Sequence, residues 1–179
     1  MKKIFKAFTL VELLVVMAIL GILVTLVGGS FRNAQRRGRD TQRKSDLKQL
    51  ANSFELFYQD YGYYPSADGQ GRIVACPYAE GTSGVVCTWG VGQFCDVDDY
   101  NNTRTIYFKK LPQDPVKSYQ YFYRVPDTSQ KKFQIFARLE NSEDQDCLSG
   151  KCTEPGVTYS CGSDICNFAI TSSNTDPFE

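Results

Sequence analysis

One acid inside an otherwise apolar run constrains this chain more than any other feature. The run starts at Phe8 and continues to about Val27, and Glu12 stands inside it. A short basic leader with Lys2, Lys3 and Lys6 precedes it and ends at Ala7. Uncharged sequence then continues from Leu13 to Phe31. At 1.5 Å per residue that is about 28 Å of helix, close to the roughly 30 Å hydrocarbon thickness of a bilayer. An uncompensated carboxylate in such a segment costs roughly 2.5–3.5 kcal/mol near the middle of a helix and less near an end, so it marks a functional position that needs a partner.

Two plainer readings compete. A secretory signal also has a basic leader and an apolar core, but this core is too long. No small-x-small cleavage site sits cleanly at its far end, although Gly28, Gly29 and Ser30 are small. A plain membrane anchor, with Glu12 reaching up to the headgroups, is the stronger of the two. The leader lysines favour an inside N-terminus, yet Arg32, Arg36, Arg37 and Arg39 follow the run on its other side, so the charge count alone does not orient it.

Gly28-Gly29-Ser30 weakens a helix, since each Gly costs about 1 kcal/mol relative to Ala. It marks either a helix end at the membrane surface or a bend in one continuous helix. From Asp40 to Tyr61 the pattern turns amphipathic. Leu47, Leu50, Ala51, Phe54, Phe57, Tyr58 and Tyr61 recur three and four apart, which predicts a helix with one face on a core. Arg43, Lys44, Lys48, Gln49, Glu55 and Gln59 lie mostly off that stripe, and Asp40 with Lys44 is expected to form an i, i+4 ion pair. Gly62 can cap the helix in a left-handed conformation and Pro65 prevents its resumption.

The stretch Ser66 to Asn102 is Gly-rich, with an acid cluster at Asp96, Asp98 and Asp99. It is too long for a structureless loop. We expect irregular structure there, with a short strand near Arg72 to Ala75. Tyr119–Val125 and Phe133–Leu139 read as a hairpin turning at Pro126-Asp127-Thr128-Ser129. The second strand has one apolar face (Phe133, Ile135, Ala137, Leu139) and one mixed face. Asn167–Thr171 supplies a candidate third strand. The abundant Tyr and Phe suit a strand-rich domain with wet edges.

The chain has 7 Cys and no His, and every Cys follows Leu50, as expected where an anchor leaves the remainder in an oxidising compartment. Cys147 with Cys152, and Cys161 with Cys166, read as two local disulfide loops. Cys76 can pair with Cys87, leaving Cys95 odd. Zinc on four thiolates is the rival, though its usual ribbon spacing is tighter than these gaps. Connectivity is not readable from the sequence.

Catalysis finds little support: the common proton shuttle is absent with His, and no phosphate-binding glycine fingerprint or P-loop occurs. The 20 basic and 20 acidic residues give no net charge that would call for nucleic acid. Loss of the leader lysines leaves 17 basic residues against 20 acidic.

Over about the first 30 residues the chain resembles the type IV pilin family, including the pseudopilins of type II secretion. The basic leader is matched by Lys2, Lys3 and Lys6, and the start of the mature chain by Phe8-Thr9-Leu10-Val11-Glu12. It departs at Ala7, where the family usually has Gly. Leu111-Pro-Gln-Asp-Pro115 resembles the turn before the sheet in secretion pseudopilins. The resemblance implies an α+β subunit: a long N-terminal α-helix, with a membrane-spanning half and an amphipathic half, packed on a small antiparallel β-sheet with disulfide-linked loops. The corresponding segments are a leader (1–7), a transmembrane and assembly half (8–31), an amphipathic half (32–61) and a globular domain (62–179).

It further implies that a prepilin peptidase cuts between Ala7 and Phe8, that Phe8 is N-methylated, and that Glu12 directs assembly by meeting the new amine of Phe8 on a neighbour. Partners are then identical subunits in a helical filament, the peptidase/N-methyltransferase and an inner-membrane assembly platform. The chain is held single-pass in the inner membrane with its N-terminus cytoplasmic before it assembles. Relatives often hold calcium in a C-terminal loop, and Glu143, Asp144 and Asp146 in the acidic run 140–146 are the ligands this would recruit. The expected role is a structural subunit of a type IV pilus-like or type II secretion filament, not an enzyme. The rival is a membrane-anchored binding or adhesin module that never polymerises.

Overall fold

The computed structural model describes residues 8–76, 84–95, 105–154 and 156–179, without the side chains of residues 26–30 and 76. One helix, α1 (Leu10–Tyr61), leads a series of short strands: β1 (Ser66–Ala67), β2 (Ile73–Cys76), β3 (Val85–Cys87), β4 (Phe94–Cys95), β5 (Ile106–Phe108), β6 (Phe122–Arg124), β7 (Gln134–Ala137) and β8 (Phe168–Thr171). They form antiparallel sheets in the orders β1-β2-β3, β4-β5 and β6-β7-β8. The chain divides into two compact units, Met1–Gly38 and Arg39–Glu179.

In the first unit the apolar side chains of α1 are exposed, among them Leu10 (80%), Met17 (66%) and Val24 (71%). A helix that is apolar all round needs hydrocarbon or other apolar protein around it. Among the described residues no helix is long and apolar enough to cross a membrane. The expected span, Leu13–Phe31, includes residues 26–30, whose side chains lie outside the described ones. The backbone of α1 is continuous through Gly28-Gly29-Ser30, so the helix end considered there does not occur.

In the second unit the stripe does what its spacing predicts. Leu47, Leu50, Phe54 and Phe57 are fully buried, with Tyr58 and Tyr61 packed at the edge. Each such side chain contributes about 1.5–3 kcal/mol by leaving water. Phe54 touches three rings, Phe94, Tyr123 and Phe133, at centroid separations of 4.7–5.6 Å. That contact ties the helix to β4, to β6 and to the residue entering β7. The helix closes at Gly62, whose φ is 71° and whose N–H returns to the carbonyl of Tyr58 at 2.7 Å. Gly71, at φ 80°, lies against the ring of Phe122, where a Cβ would come within 2.3 Å of Cδ2.

The expected hairpin strands contract to β6 and β7 because their ends bond elsewhere. The N–H of Leu139 donates to Oδ1 of Asn167 at 2.7 Å, and Nδ2 of Asn167 donates back to the carbonyl of Leu139 at 3.1 Å. Tyr119 bridges Gly162 instead of extending β6. The mixed face of β7 is also covered. Phe136 packs with Cys161, Cys166, Phe122 and Tyr159 in a second small core, and Gln134 is buried. The stretch after Pro65 contains β1, β2, β3 and β4 rather than a single strand.

Candidate functional site

Two constellations stand out on α1. The first is at its start. Thr9 precedes the first helical residue and Glu12 is the third. Oγ1 of Thr9 accepts from the N–H of Glu12 at 3.2 Å, while the N–H and the hydroxyl of Thr9 both donate to Oε2 of Glu12 at 2.9 Å. This is a reciprocal capping box, which satisfies N–H groups that a helix start otherwise leaves bare and places a negative charge at the positive end of the dipole. The Thr-x-x-Glu spacing is the sequence signature of such a box. Among the described residues nothing bonds to Oε1 of Glu12. Phe8 is 83% exposed. Ala7, the other side of the expected cut, lies outside the described residues.

The second constellation lies where α1 enters the packed unit. Arg43 was expected off the apolar stripe and is instead completely buried. Its place four residues before Leu47 puts it on the core face, a signal the sequence carries. A guanidinium there requires anions, and three carboxylates supply them. Nε and Nη2 of Arg43 donate to the two oxygens of Asp114 at 2.8 and 2.7 Å; Nη1 donates to Asp40 and to Glu140, each at 2.8 Å. Asp40, also buried, accepts from the backbone N–H of Glu140 and Asn141. Arg39 adds a two-pronged pair to Glu140, at 2.7 and 2.5 Å. Hydrogen bonds from Arg39 first, then from Arg43, hold the Glu140 carboxyl down to about 2 against the burial that opposes them. Asp114 also accepts from the N–H of Val116 at 2.8 Å, which fixes the Leu111–Pro115 turn.

The expected Asp40–Lys44 pair does not form, because Arg43 takes Asp40 one residue earlier in the helix. Lys44 reaches the 140s loop instead, with Nζ at 2.7 and 2.8 Å from the oxygens of Asp144 and 2.7 Å from Asp146. Burial raises the Asp144 pKa, but bonds from Lys44 and from the N–H of Asp146 outweigh it and the net shift is downward. Two of the three expected calcium ligands thus converge on an ammonium, while Glu143 is exposed and its N–H turns to Asn141. Among the described residues no group of three or more His, Cys, Asp or Glu side chains is placed to hold a metal ion.

Cys147 is bonded to Cys152 and Cys161 to Cys166, with Cα separations of 5.1 and 5.0 Å. Sulfurs so joined are not thiolate ligands, so the four-thiolate zinc alternative does not apply to them. Cys87 is disulfide-bonded, and the side chain of Cys76, its expected partner, lies outside the described residues. Cys95 is buried in β4. The acid cluster Asp96, Asp98 and Asp99 lies outside the described residues.

A capped helix with an exposed apolar beginning, locked through its later turns to small antiparallel sheets with disulfide loops, defines a pilin-like subunit. Comparison with known proteins narrows this. The family described as "Prokaryotic N-terminal methylation motif" matches residues 2–28. The chain is 31% identical over 116 residues to the type II secretion system core protein G of Pseudomonas aeruginosa, covering 64% of this chain and 70% of that one. Against the protein of the same name from Vibrio cholerae it is 29% identical over 125 residues, 68% of this chain and 74% of that one. Against that of Klebsiella pneumoniae the figures are 28% over 111 residues, 62% and 68%. No solved structure matches the chain. The chain belongs to the family of type II secretion core protein G.

Proposed function

We propose that this chain is a structural subunit of a type II secretion pseudopilus, processed at its N-terminus and polymerised through α1. The observation that carries the reading is the methylation motif over residues 2–28 joined in one chain to relatives named as the secretion core protein. A prepilin peptidase cuts between Ala7 and Phe8, and the new amine of Phe8 is methylated. Residues 8–31 hold the subunit in the inner membrane with its leader in the cytoplasm until an assembly platform moves it into the filament. In the filament the exposed apolar side chains of α1 are covered by those of identical neighbours, and Glu12 meets a neighbour's amine. The pairing offsets two desolvation costs that neither charge escapes alone. Specificity then lies in the loops of the outer unit, and no chemistry is asked of the protein. A non-polymerising adhesin has no observation in its favour.

The experiment is a mass determination of the mature N-terminus together with Glu12→Ala. The reading expects a methylated Phe8 in the wild type, and in the variant a processed membrane protein that forms no filaments. An intact Met1 on the wild type, or normal filaments from the variant, would refute it.

Calcium enters this reading as a competitor of Lys44. To bind Asp144 and Asp146 it must displace an ammonium already placed between them, and Glu143 must turn in. A melting temperature that neither chelator nor added calcium moves would remove calcium from the account.

A further inference from the structure

We infer that Arg32 and Arg36 form a phosphate-gripping stripe on α1 that seats on anionic phospholipid headgroups at the extracytoplasmic face of the membrane. The inference rests on the membrane anchoring proposed above and names a partner for the end of that anchor.

The residue types differ at the two ends of the apolar run. The leader uses only lysine (Lys2, Lys3, Lys6), and the far end only arginine, with Lys44 the first lysine beyond it. A lysine is a compact point charge; the arginine fork matches two oxygens of one phosphate and loses less hydration. The arginines also run against the positive-inside bias, so they are not there to orient the chain.

Among the described residues nothing pairs with Arg32 or Arg36. Arg32 and Arg36 are one helical turn apart and both are exposed. Neither has a hydrogen bond or ion pair among the described residues, whereas Arg39 is held by Glu140. No acid occurs between Glu12 and Asp40; Asp40 itself stands four positions from Arg36, but it is buried and taken by Arg43 and by the backbone N–H groups of Glu140 and Asn141.

Depth selects the partner. If Leu13–Phe31 fills the hydrocarbon layer, then Arg32 to Arg36 lie about 2–8 Å beyond it by helical rise. The headgroup layer is about 5–8 Å thick on each side, so both guanidinium groups fall at phosphate level. The competing occupant is a carboxylate of a second copy, since every acid other than Glu12 lies at or beyond Asp40. Lipid is favoured because phosphates lie at this depth without any particular packing of subunits.

The test uses the full chain reconstituted in phosphatidylcholine vesicles carrying traces of spin-labelled phosphatidylcholine or phosphatidylglycerol. Electron spin resonance reports the fraction of each label held at the protein. Phosphatidylglycerol should be enriched over phosphatidylcholine, and each of Arg32→Gln and Arg36→Gln should cut the enrichment by about fivefold. Raised salt should weaken it, and Lys48→Gln should leave it unchanged. Equal association of both lipids with the wild type would overturn the inference and leave the anchor standing. A protein that neither vesicle retains after alkaline washing would overturn the anchor and the inference together. Loss of filaments in the double variant without any lipid preference in the wild type would assign the arginines to a second copy instead, and would also overturn it.

Discussion

Arg43 and Asp114, 71 residues apart in sequence, meet through two parallel hydrogen bonds of 2.8 and 2.7 Å with both side chains fully buried. This pair fastens α1 to the turn before the sheet, and its burial makes it sensitive to the loss of one partner. Asp114→Ala strands part of a guanidinium charge and should cost about 3–5 kcal/mol. Arg43→Met with Asp114→Leu should be much milder than the sum of the single changes, because both charges leave together. Urea unfolding followed by circular dichroism measures both, and additive losses would show that the pair is not coupled.

Glu140 makes the same junction sensitive to acid. Its pKa is held down to about 2 from an ordinary 4.5, chiefly by hydrogen bonding to Arg39 and then to Arg43. A carboxylate depressed by folding contributes stability that is complete above its unfolded pKa and is lost as pH falls toward the folded one. The packed unit should therefore lose stability between about pH 4.5 and pH 2. Glu140→Gln should be less stable at neutral pH and should show a shallower fall across that window. An unchanged slope in melting temperature against pH would mean that Glu140 is not a linked group.

What the sequence disclosed was whatever depends on periodicity and short-range chemistry. The buried stripe Leu47, Leu50, Phe54, Phe57 follows from spacing alone, and Gly62 followed from its place after the last periodic residue. The burial of Arg43 follows from no local rule for charges, since its partners Asp114 and Glu140 lie 71 and 97 residues further along the chain. For the same reason spacing pairs Lys44 with its helical neighbour Asp40, whereas the fold brings it to Asp144 and Asp146. The strand ends were overextended because nothing local shows that Asn167 takes the backbone of Leu139. At the helix start the chemistry is local: Thr9 and Glu12 are three residues apart, so the capping box is legible in the sequence.

The two local disulfides should differ in consequence. Cys161 and Cys166 are fully buried in the small core with Phe136, whereas Cys147 and Cys152, in the main core, are 4% and 3% exposed. Closing loops this short contributes roughly 2 kcal/mol through the unfolded chain. Replacing Cys161 and Cys166 with serine should cost more than that, since it also puts hydroxyls against the Phe136 ring. Mass spectrometry of non-reduced digests should find both pairs, and thermal melts of the paired serine variants should rank them in this order. Four free thiols that bind zinc would contradict the assignment.

The capping box separates two roles that Glu12→Ala removes at once. Glutamine at the third helical position still completes a capping box, since its amide can reach back to the backbone of Thr9, but it carries no charge. Glu12→Gln should therefore keep the helix start while losing the attraction to a neighbour's amine. Thr9→Val does the reverse: it deletes Oγ1, the acceptor for the Glu12 N–H and one of two donors to Oε2, and leaves the carboxylate intact. The loss of the cap should cost about 1 kcal/mol of helix stability. If the charge drives assembly, Thr9→Val still forms filaments, which dissociate at lower temperature, and Glu12→Gln forms few or none. Electron microscopy of the two variants at equal membrane abundance decides the matter. Wild-type filaments from Glu12→Gln and none from Thr9→Val would make the carboxylate a helix cap and nothing more.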